Sequence, residues 1–179
     1  MATPERPDRV KVVAAVLASP VADWVKLREM MTALWGPIDF EGPDRPFAVT
    51  DYYVREMGDG LYRRLASFAD LVASDSLVDL KLQANEIEAA LSKDGRRTVN
   101  VDVGYLDVHK LVLASGKFDG PKIHLGRGVY ADLVCRYAAG AFHPYEWTFP
   151  DFQLRIYDAD LLEMRRSYKQ RLRAEKGGA

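Results

Sequence analysis

The sequence predicts an α+β fold, in which one mostly antiparallel sheet packs against about three helices. Its 179 residues are a length typical of a single domain. The predicted strands come in runs and do not alternate regularly with helices, as they would in a parallel sheet. Short turns that contain glycine connect the later strands, and such turns are typical of antiparallel hairpins.

The chain is predicted to begin with a strand followed by a helix. Residues 10–18 form an apolar, β-branched run, which is typical of a buried strand. Apolar residues then recur at helical spacing from Trp24 to Leu34, and Gly36-Pro37 ends this helix. Residues 47–58 are predicted to form another strand. The segment 61–72 is ambiguous, because its alternation favours a strand whereas its length allows a helix.

A clearer pattern begins at Ser74. An apolar stripe at helical spacing predicts the central helix and comprises Leu77, Leu80, Ala84, Ile87 and Leu91. In the next strand the valines of "TVNVDVGY" face one way, and Asn100 and Asp102 face the other. Further strands are predicted at 109–117, 122–125 and 128–137, and a last helix at about 158–175.

Composition places the chain among globular proteins. It is 48% hydrophobic and 28% charged, with a mean hydropathy of -0.21. Residues 10–175 are predicted to form the domain, with disordered ends at 1–9 and 176–179. The longest apolar run, Val12 to Ala18, is too short to cross a bilayer, and the N-terminus lacks a secretory signal. A cytoplasmic location without a membrane partner is therefore expected.

Charge and metal-ligand counts exclude several classes of function. The 25 basic and 26 acidic side chains give a net charge of -1, which argues against a general nucleic-acid binder. The single cysteine, Cys135, is predicted to be a small buried hydrophobe. The three histidines, His109, His124 and His143, show no metal-ligand spacing, so no metal site is predicted. The sequence indicates no cofactor and no oligomeric state.

The Gly126-Arg127-Gly128 motif resembles a phosphate-binding loop at first sight. A P-loop requires G-x-x-x-x-G-K-[ST], and a dinucleotide fingerprint requires G-x-G-x-x-G between a strand and a helix. Neither is present, and the motif leads into an alternating strand. A hairpin corner is therefore favoured, with Arg127 at its tip free to bind a carboxylate or a phosphate.

The polar face of the predicted sheet is the candidate site for a small anionic ligand, such as a nucleotide or a phosphorylated metabolite. There, Arg127, Lys110 and His124 would contact the anion. Asn100 and Asp102 would orient a sugar hydroxyl or a metal-bound water, and Asp102 would be the base or a Mg²⁺ ligand if the protein is an enzyme. The predicted ligand-binding residues are Asn100, Lys110, His124, Arg127, Tyr130, Asp51, Tyr53, Lys81 and Trp147. An ordinary solvated sheet face has the same pattern, and this alternative stays open.

A second hypothesis is a module that binds a protein or RNA partner. It would use the aromatic loop "FHPYEWTFPDF" at 142–152 and the basic last helix, from Arg165 to Lys176. Since few basic residues accompany the aromatic rings, these rings are also expected to cap the core as a pinned loop. No motif dictates a reaction, so the sequence does not predict whether the protein is an enzyme.

Five motifs in order carry a resemblance to a known family. They are "GPIDF", "TDYYVREMG", "NVDVGYLDVHKLVLAS", "IHLGRGVYADL" and "WTFPDF". Over about residues 10–170 they resemble a bacterial family known as domain of unknown function 4416. Val103 departs from the pattern, since the family commonly has proline before Gly-Tyr. The resemblance implies no established activity.

Overall fold

A computed structural model describes residues 3–177, and in it nine strands form one antiparallel sheet, which confirms the predicted α+β class. The strands are β1 (Val10–Ala18), β2 (Ile38–Glu41), β3 (Arg45–Pro46), β4 (Tyr62–Val72), β5 (Val99–Leu106), β6 (Lys110–Ser115), β7 (Ile123–Gly126), β8 (Val129–Ala138) and β9 (Ala141–Pro144). The helices are α1 (Trp24–Trp35), α2 (Val54–Met57), α3 (Leu77–Ala90), α4 (Pro150–Gln153) and α5 (Asp158–Gly177). The strand order is β2-β4-β1-β5-β6-β8-β7, with β3 beside β4 and β9 beside β8.

Helices cover both faces of the sheet. Val12 and Val16 of β1 belong to the core under α1 and α3, whereas Val13 and Ala15 belong to the core under α4 and α5. This arrangement explains why β1 is apolar at every position but Lys11. It also means that the polar side of β5 does not face open solvent. Asn100 is 6% exposed.

The prediction of a strand at 47–58 is wrong. Residues 47–53 have an irregular backbone, and Val54–Met57 is a single helical turn that ends at Gly58, whose φ is 82°. This segment crosses one end of the sheet, where Tyr53 and Met57 pack against Leu17. The ambiguous segment 61–72 contains strand β4, which pairs with β1, β2 and β3.

The chain ends fall partly outside the described residues. Residues 3–9 lie in an exposed segment without regular structure. The segment 176–179, which was expected to be disordered, begins inside helix α5, since that helix continues to Gly177. Lys176 there pairs with Asp8. Residues 1, 2, 178 and 179 are outside the described residues.

Strands β5 and β6 separate part-way along their length. β5 pairs with β1 from Lys11↔Leu106 to Ala18↔Val99, but its ladder with β6 runs only from Gly104↔Leu113 to Leu106↔Leu111. β6 instead follows β8 as far as Ser115↔Tyr130. Residues 99–103 of β5 and 114–115 of β6 therefore border an opening within the sheet, which we call the β5–β6 split.

Gly104 lies at the last pair before the β5–β6 split. A Cβ atom there would lie 2.0 Å from the carbonyl oxygen of Val112 and 2.7 Å from Cα of Leu113. Real Cβ atoms do not approach backbone atoms so closely. Only glycine therefore permits β6 to come this close to β5 before the two strands diverge.

We predict that Gly104→Ala lowers the free energy of unfolding by about 3 kcal/mol, because the added methyl group must push two backbones apart. Urea denaturation measures the change as a lower midpoint. Gly116→Ala is the matched control, since a Cβ at Gly116 meets no atom within 4 Å. Equal midpoints for the two variants would contradict the prediction.

Candidate functional site

A cavity of about 370 Å³ lies at the β5–β6 split. Its size is in the range of small-molecule sites. The lining combines side chains from both sides of the sheet, because the two strands do not close it. The polar and aromatic residues of the lining are Tyr52, Tyr53, Lys81, Asn85, Glu88, Arg97, Asn100, Asp102, Ser115, Lys117, Asp119, Lys122, Asp132 and Phe149.

Glu88 of α3 supports the open edge of β5. One of its carboxylate oxygens accepts a hydrogen bond of 2.8 Å from the backbone N–H of Val101. The other accepts one of 3.0 Å from Arg97. A buried backbone N–H needs a partner, and at the split no strand supplies one. The carboxylate of Glu88 therefore takes the place of the missing strand at this position.

Arg97 connects three parts of the cavity wall. Its guanidinium makes two hydrogen bonds of 2.6 Å to the carboxylate of Glu56 on α2. It also donates to Glu88 and, at 2.8 Å, to the side-chain oxygen of Asn100. The hydrogen bonds to Glu56 raise the pKa of Arg97, with a further contribution from Glu88. This bidentate pair fixes the wall formed by Tyr52 and Tyr53 next to α3 and β5.

Arg63 of β4 lies beneath the cavity and has no solvent-exposed surface. It donates to Asp151 of α4 at 2.6 Å and to Asp102 at 3.3 Å. Tyr157 donates a further hydrogen bond of 2.9 Å to Asp151. Burial alone would lower the pKa of Arg63, but Asp102 and Asp151 raise it, so the guanidinium stays charged. One cation thus balances the buried carboxylate of Asp151 and the partly buried carboxylate of Asp102.

Two buried polar atoms of the lining have no hydrogen-bond partner within residues 3–177. They are the side-chain nitrogen of Asn100 and one carboxylate oxygen, Oδ1, of Asp132. Asp132 is 7% exposed, and its closest cation is Lys122, at 4.0 Å from the other oxygen. Burial raises the pKa of Asp132, Lys122 opposes the rise, and Asp119 and Asp102 add to it. Since most buried polar atoms are paired, these two need an explanation.

Lys81, Lys117 and Tyr53 contribute the remaining polar groups. Most of the Lys81 side chain is buried, and the carboxylate oxygen nearest to its ammonium within the described chain, on Glu88, is 4.0 Å away, which is beyond hydrogen-bonding distance. Lys117 donates to the hydroxyl of Tyr52 and lies 4.2 Å from the centroid of its ring. Burial, with help from Asp102, raises the pKa of Tyr53 to about 12, so its phenol stays protonated.

The structure brings together four of the ten residues predicted for the site. Asn100, Asp102, Tyr53 and Lys81 all line the cavity. Trp147 lies beside it and lines an adjoining cavity that shares Asp132. The other five lie elsewhere: Lys110, His124, Arg127, Tyr130 and Asp51.

Lys110 lies on the opposite face of the sheet from Asn100 and Asp102. Side chains alternate along a strand, and Leu111 and Leu113 belong to the core under α4 and α5, so Lys110 faces the other way. It pairs with Asp107 in the turn between β5 and β6. Lys110 was expected to lie beside Asn100 and Asp102. It does not, because strand alternation turns its side chain to the other face.

A β-bulge changes which residues of β8 share a face. Leu111 pairs with Cys135 and Val112 with Leu133, so Val134 is an extra residue on β8. Asp132 consequently lies on the same face as Asp102, whereas Arg136 does not. Unbroken alternation along β8 would have put Asp132 and Arg136 on one face. Cys135 is buried as predicted, and burial raises its pKa to about 12.

Arg127 lies at the corner of a hairpin, as the sequence favoured. It joins β7 to β8, and its φ is 54°, between two glycines that also have positive φ. Its exposed guanidinium pairs with Asp79 of α3 at 2.6 Å. His124 stacks on Tyr130 at the edge of the sheet, with 4.9 Å between ring centroids. Asp51 lies in the exposed segment before α2.

The aromatic loop at 142–152 is pinned to the core. Phe142 and Phe152 are buried under α5. Thr148 donates to the carbonyl of Val134 at 2.7 Å. Trp147 is 41% exposed, but its ring stacks on Tyr145 and its indole N–H is hydrogen-bonded to a backbone carbonyl. Most of the loop is thus occupied by contacts within the chain.

Arg63 and Arg97 contribute to the site but were not predicted from the sequence. Arg63 occurs in the alternating series Leu61, Arg63, Leu65, where the two leucines are the buried partners. A charged residue in phase with apolar ones is a signal for a buried ion pair. Arg97 has no comparable signal, because its partners come from α2, α3 and β5.

Comparison with known proteins identifies the family. The family model described as "Domain of unknown function (DUF4416)" matches residues 8–168. The chain belongs to this family. No curated protein and no solved structure shows a significant match to it. This match confirms the family resemblance that the five sequence motifs indicated.

Two further observations bound the chemistry of this DUF4416 protein. Within residues 3–177, no three His, Cys, Asp or Glu side chains come together in a way that could hold a metal ion. No helix in the same range is long and apolar enough to cross a membrane.

We predict that Arg63→Met lowers the free energy of unfolding by about 3–5 kcal/mol, because it leaves Asp102 and Asp151 buried without their counter-ion. Urea denaturation measures this loss. Arg127→Met is the matched control, since it removes only the exposed pair with Asp79, which is worth about 1 kcal/mol or less. Similar losses in the two variants would show that the buried pairs do not hold this region.

We predict that Asp132→Asn makes the protein more stable at pH 7. The raised pKa means that the folded state binds a proton more tightly than the unfolded state does. Protonated Asp132 therefore stabilises the fold fully at a pH below the pKa that this carboxyl has in the unfolded chain. The contribution is lost as the pH rises through the higher pKa that it has in the folded chain.

Urea denaturation of both proteins at pH 7 and at pH 3.5 tests this prediction. The gain from Asp132→Asn should be larger at pH 7. Asp119→Asn provides the control of opposite sign, because Lys122 lowers the pKa of the Asp119 carboxyl. A gain in stability from Asp132→Asn that is smaller at pH 7 than at pH 3.5 would contradict the prediction.

Proposed function

We propose that the protein binds a small phosphorylated metabolite, such as a nucleotide or a sugar phosphate, in the cavity at the β5–β6 split. The site differs from the one expected from sequence, since its cations come from α3 and from the loop after β6. Asn100, Asp102 and Lys81 remain part of it.

The proposal rests on the ammonium of Lys81, which lines the cavity on a largely buried side chain and has no carboxylate within hydrogen-bonding distance in the described chain. A charge that is partly removed from water is costly unless it is paired. Lys81 is 8% exposed, yet it stands 4.0 Å from the nearest carboxylate oxygen of the described chain. That carboxylate, Glu88, already accepts hydrogen bonds from Arg97 and Val101. A phosphate in the cavity would supply the missing charge-assisted hydrogen bonds.

Neighbouring groups support the same ligand. Lys117 lies on the rim and adds a second cation that a phosphate can reach. Phe149 and Tyr52 line the cavity and offer apolar and aromatic surface to the remainder of the ligand. Tyr53 keeps its proton and can donate a hydrogen bond from the α2 side.

Asp102 holds a position suited to acid–base chemistry, but its role as a base stays a prediction. Arg63 donates a hydrogen bond of 3.3 Å to one of its oxygens. The alternative of a protein- or RNA-binding module also stays a prediction. The rings that it would use at 142–152 are largely committed to the core, which favours the cavity as the site.

We predict that Lys81→Met abolishes stabilisation by phosphorylated ligands. At a hundredfold excess over its Kd, a ligand adds about 2.7 kcal/mol of stability, which for a chain of this size is a shift of about 5–10 °C in Tm. Thermal denaturation with inorganic phosphate, ribose 5-phosphate, glucose 6-phosphate and AMP measures this shift. Met preserves the length of the buried side chain and removes its charge.

Lys110→Met is the matched control, because it removes an ammonium that lies outside the cavity and pairs with Asp107. It should leave the ligand-induced shift unchanged. A wild-type protein that none of these anions stabilises would contradict the proposal. An equal shift in wild type and Lys81→Met would contradict it as well.

A further inference from the structure

We propose that the ligand is a nucleotide and that its base stacks on the ring of Trp147. This inference rests on the proposed function, which assigns the phosphate to Lys81, and it specifies the chemical class of the other end of the ligand. The base would occupy a second cavity that adjoins the one at the β5–β6 split, and the sugar would connect the two ends.

The second cavity shares most of its lining with the first. It has a volume of about 250 Å³. Three of its lining residues belong to it alone, namely Gly120, Pro121 and Trp147. The other four line both cavities and are Asp119, Lys122, Asp132 and Phe149. Because the two spaces have these walls in common, a ligand bound in the first can extend into the second.

Trp147 is held in a fixed orientation although it is exposed. Its ring stacks on Tyr145, with 4.7 Å between the centroids and 10° between the ring planes. Its indole N–H donates a hydrogen bond of 3.0 Å to the carbonyl of Leu133. Even so, 41% of the residue remains exposed. Because the ring is already ordered, a ligand that stacks on it causes little further loss of side-chain entropy.

The surface that Trp147 leaves free suits a flat ring. Tyr145 covers one face of the indole, and the hydrogen bond to Leu133 occupies its nitrogen edge. The second face is left for the adjoining cavity, where Phe149 supplies further aromatic surface and Gly120 adds no side chain. Aromatic side chains stack on nucleobases because every base has a π face.

The charged groups of the second cavity favour an uncharged end of the ligand. Its ammonium, on Lys122, pairs with Asp119 and lies 4.0 Å from a carboxylate oxygen of Asp132. These two carboxylates would repel a phosphate. Within residues 3–177, Lys81 and Lys117 have no carboxylate at hydrogen-bonding distance, and they line the first cavity only. The phosphate and the base are thereby assigned to different cavities.

A choline group is the competing occupant of the second cavity. Cations pack against indole rings, and phosphocholine would combine such a cation with a phosphate. The ammonium of Lys122 lies in the same lining as Trp147, and it would repel a second cation. A nucleobase has no charge and is not subject to this repulsion, so the base is the favoured occupant.

Isothermal titration of the full chain compares AMP with ribose 5-phosphate, which lacks the base. We expect AMP to bind about tenfold more tightly, because stacking on an aromatic side chain contributes at least this much. Phosphocholine, titrated in the same way, should bind more weakly than AMP. Titrations with GMP, CMP and UMP determine which base is preferred.

Trp147→Leu should reduce the affinity for AMP about tenfold and leave the affinity for ribose 5-phosphate unchanged. The unchanged affinity would show that the variant is folded and keeps its phosphate site. Phe118→Leu is the matched control, because Phe118 is an aromatic residue that is 85% exposed and lines neither cavity. It should change neither affinity.

Fluorescence tests the stacking without a loss of the ring. AMP should quench the tryptophan fluorescence of the wild-type protein, whereas ribose 5-phosphate should not. Trp147→Phe keeps an aromatic ring and retains the other two tryptophans, Trp24 and Trp35. It should bind AMP more tightly than ribose 5-phosphate but show no quenching.

The outcomes separate the two proposals. If ribose 5-phosphate and AMP bind equally well, base stacking is refuted and the proposed function stands. If phosphocholine binds most tightly, or if AMP binds without quenching Trp147, the base does not lie on this ring and the inference is overturned. If no phosphorylated ligand binds to the wild-type protein, both proposals fail.

Discussion

Strand β5 must satisfy its backbone hydrogen bonds without a complete partner strand on one edge, and the cavity and its ion pairs follow from this requirement. On one edge β1 pairs with it along its whole length, but on the other edge β6 departs after Gly104. The carboxylate of Glu88 accepts the N–H of Val101 in place of a strand carbonyl. A side chain has thus replaced a strand, and the space that the strand would have filled has become a cavity.

Charged side chains surround that cavity, and two arginines hold them in place through ion pairs. Arg97 holds α2, α3 and β5 together at the rim, and Arg63 holds β4, β5 and α4 together at the floor. Asp132 has no such partner, and its raised pKa indicates that its ionised form is unfavourable in the folded chain. A group that opposes folding and faces a cavity is more readily explained by binding than by stability.

The sequence predicted the parts of the fold that depend on local periodicity. The apolar run of β1, the stripe of α3 and the alternation of Val99, Val101 and Val103 all specify buried positions, because spacing alone decides which side chains share a face.

The site was harder to predict, because it depends on pairings between distant segments. The bulge at Val134 reverses the face of Arg136, and strand alternation takes Lys110 away from Asp102. Neither effect can be deduced until the register between β6 and β8 is known. The same limit explains Arg63, whose partners Asp102 and Asp151 are 39 and 88 residues away along the chain.

The balance of charge around the cavity determines how such a site could select a ligand. The lining has four basic side chains, Lys81, Arg97, Lys117 and Lys122, and four acidic ones, Glu88, Asp102, Asp119 and Asp132. A lining with no net charge exerts little long-range attraction on an anion, so selection must come from contacts at short range. The charges are also segregated, because Glu56 and Glu88 share Arg97 whereas Asp102 and Asp151 share Arg63. Lys81 and Lys117 leave a net positive charge on the side of α2 and α3, and the side toward α4 retains negative charge. A ligand with an anionic group at one end and hydrogen-bond donors at the other fits both sides in one orientation, and a simple anion satisfies only half of the site.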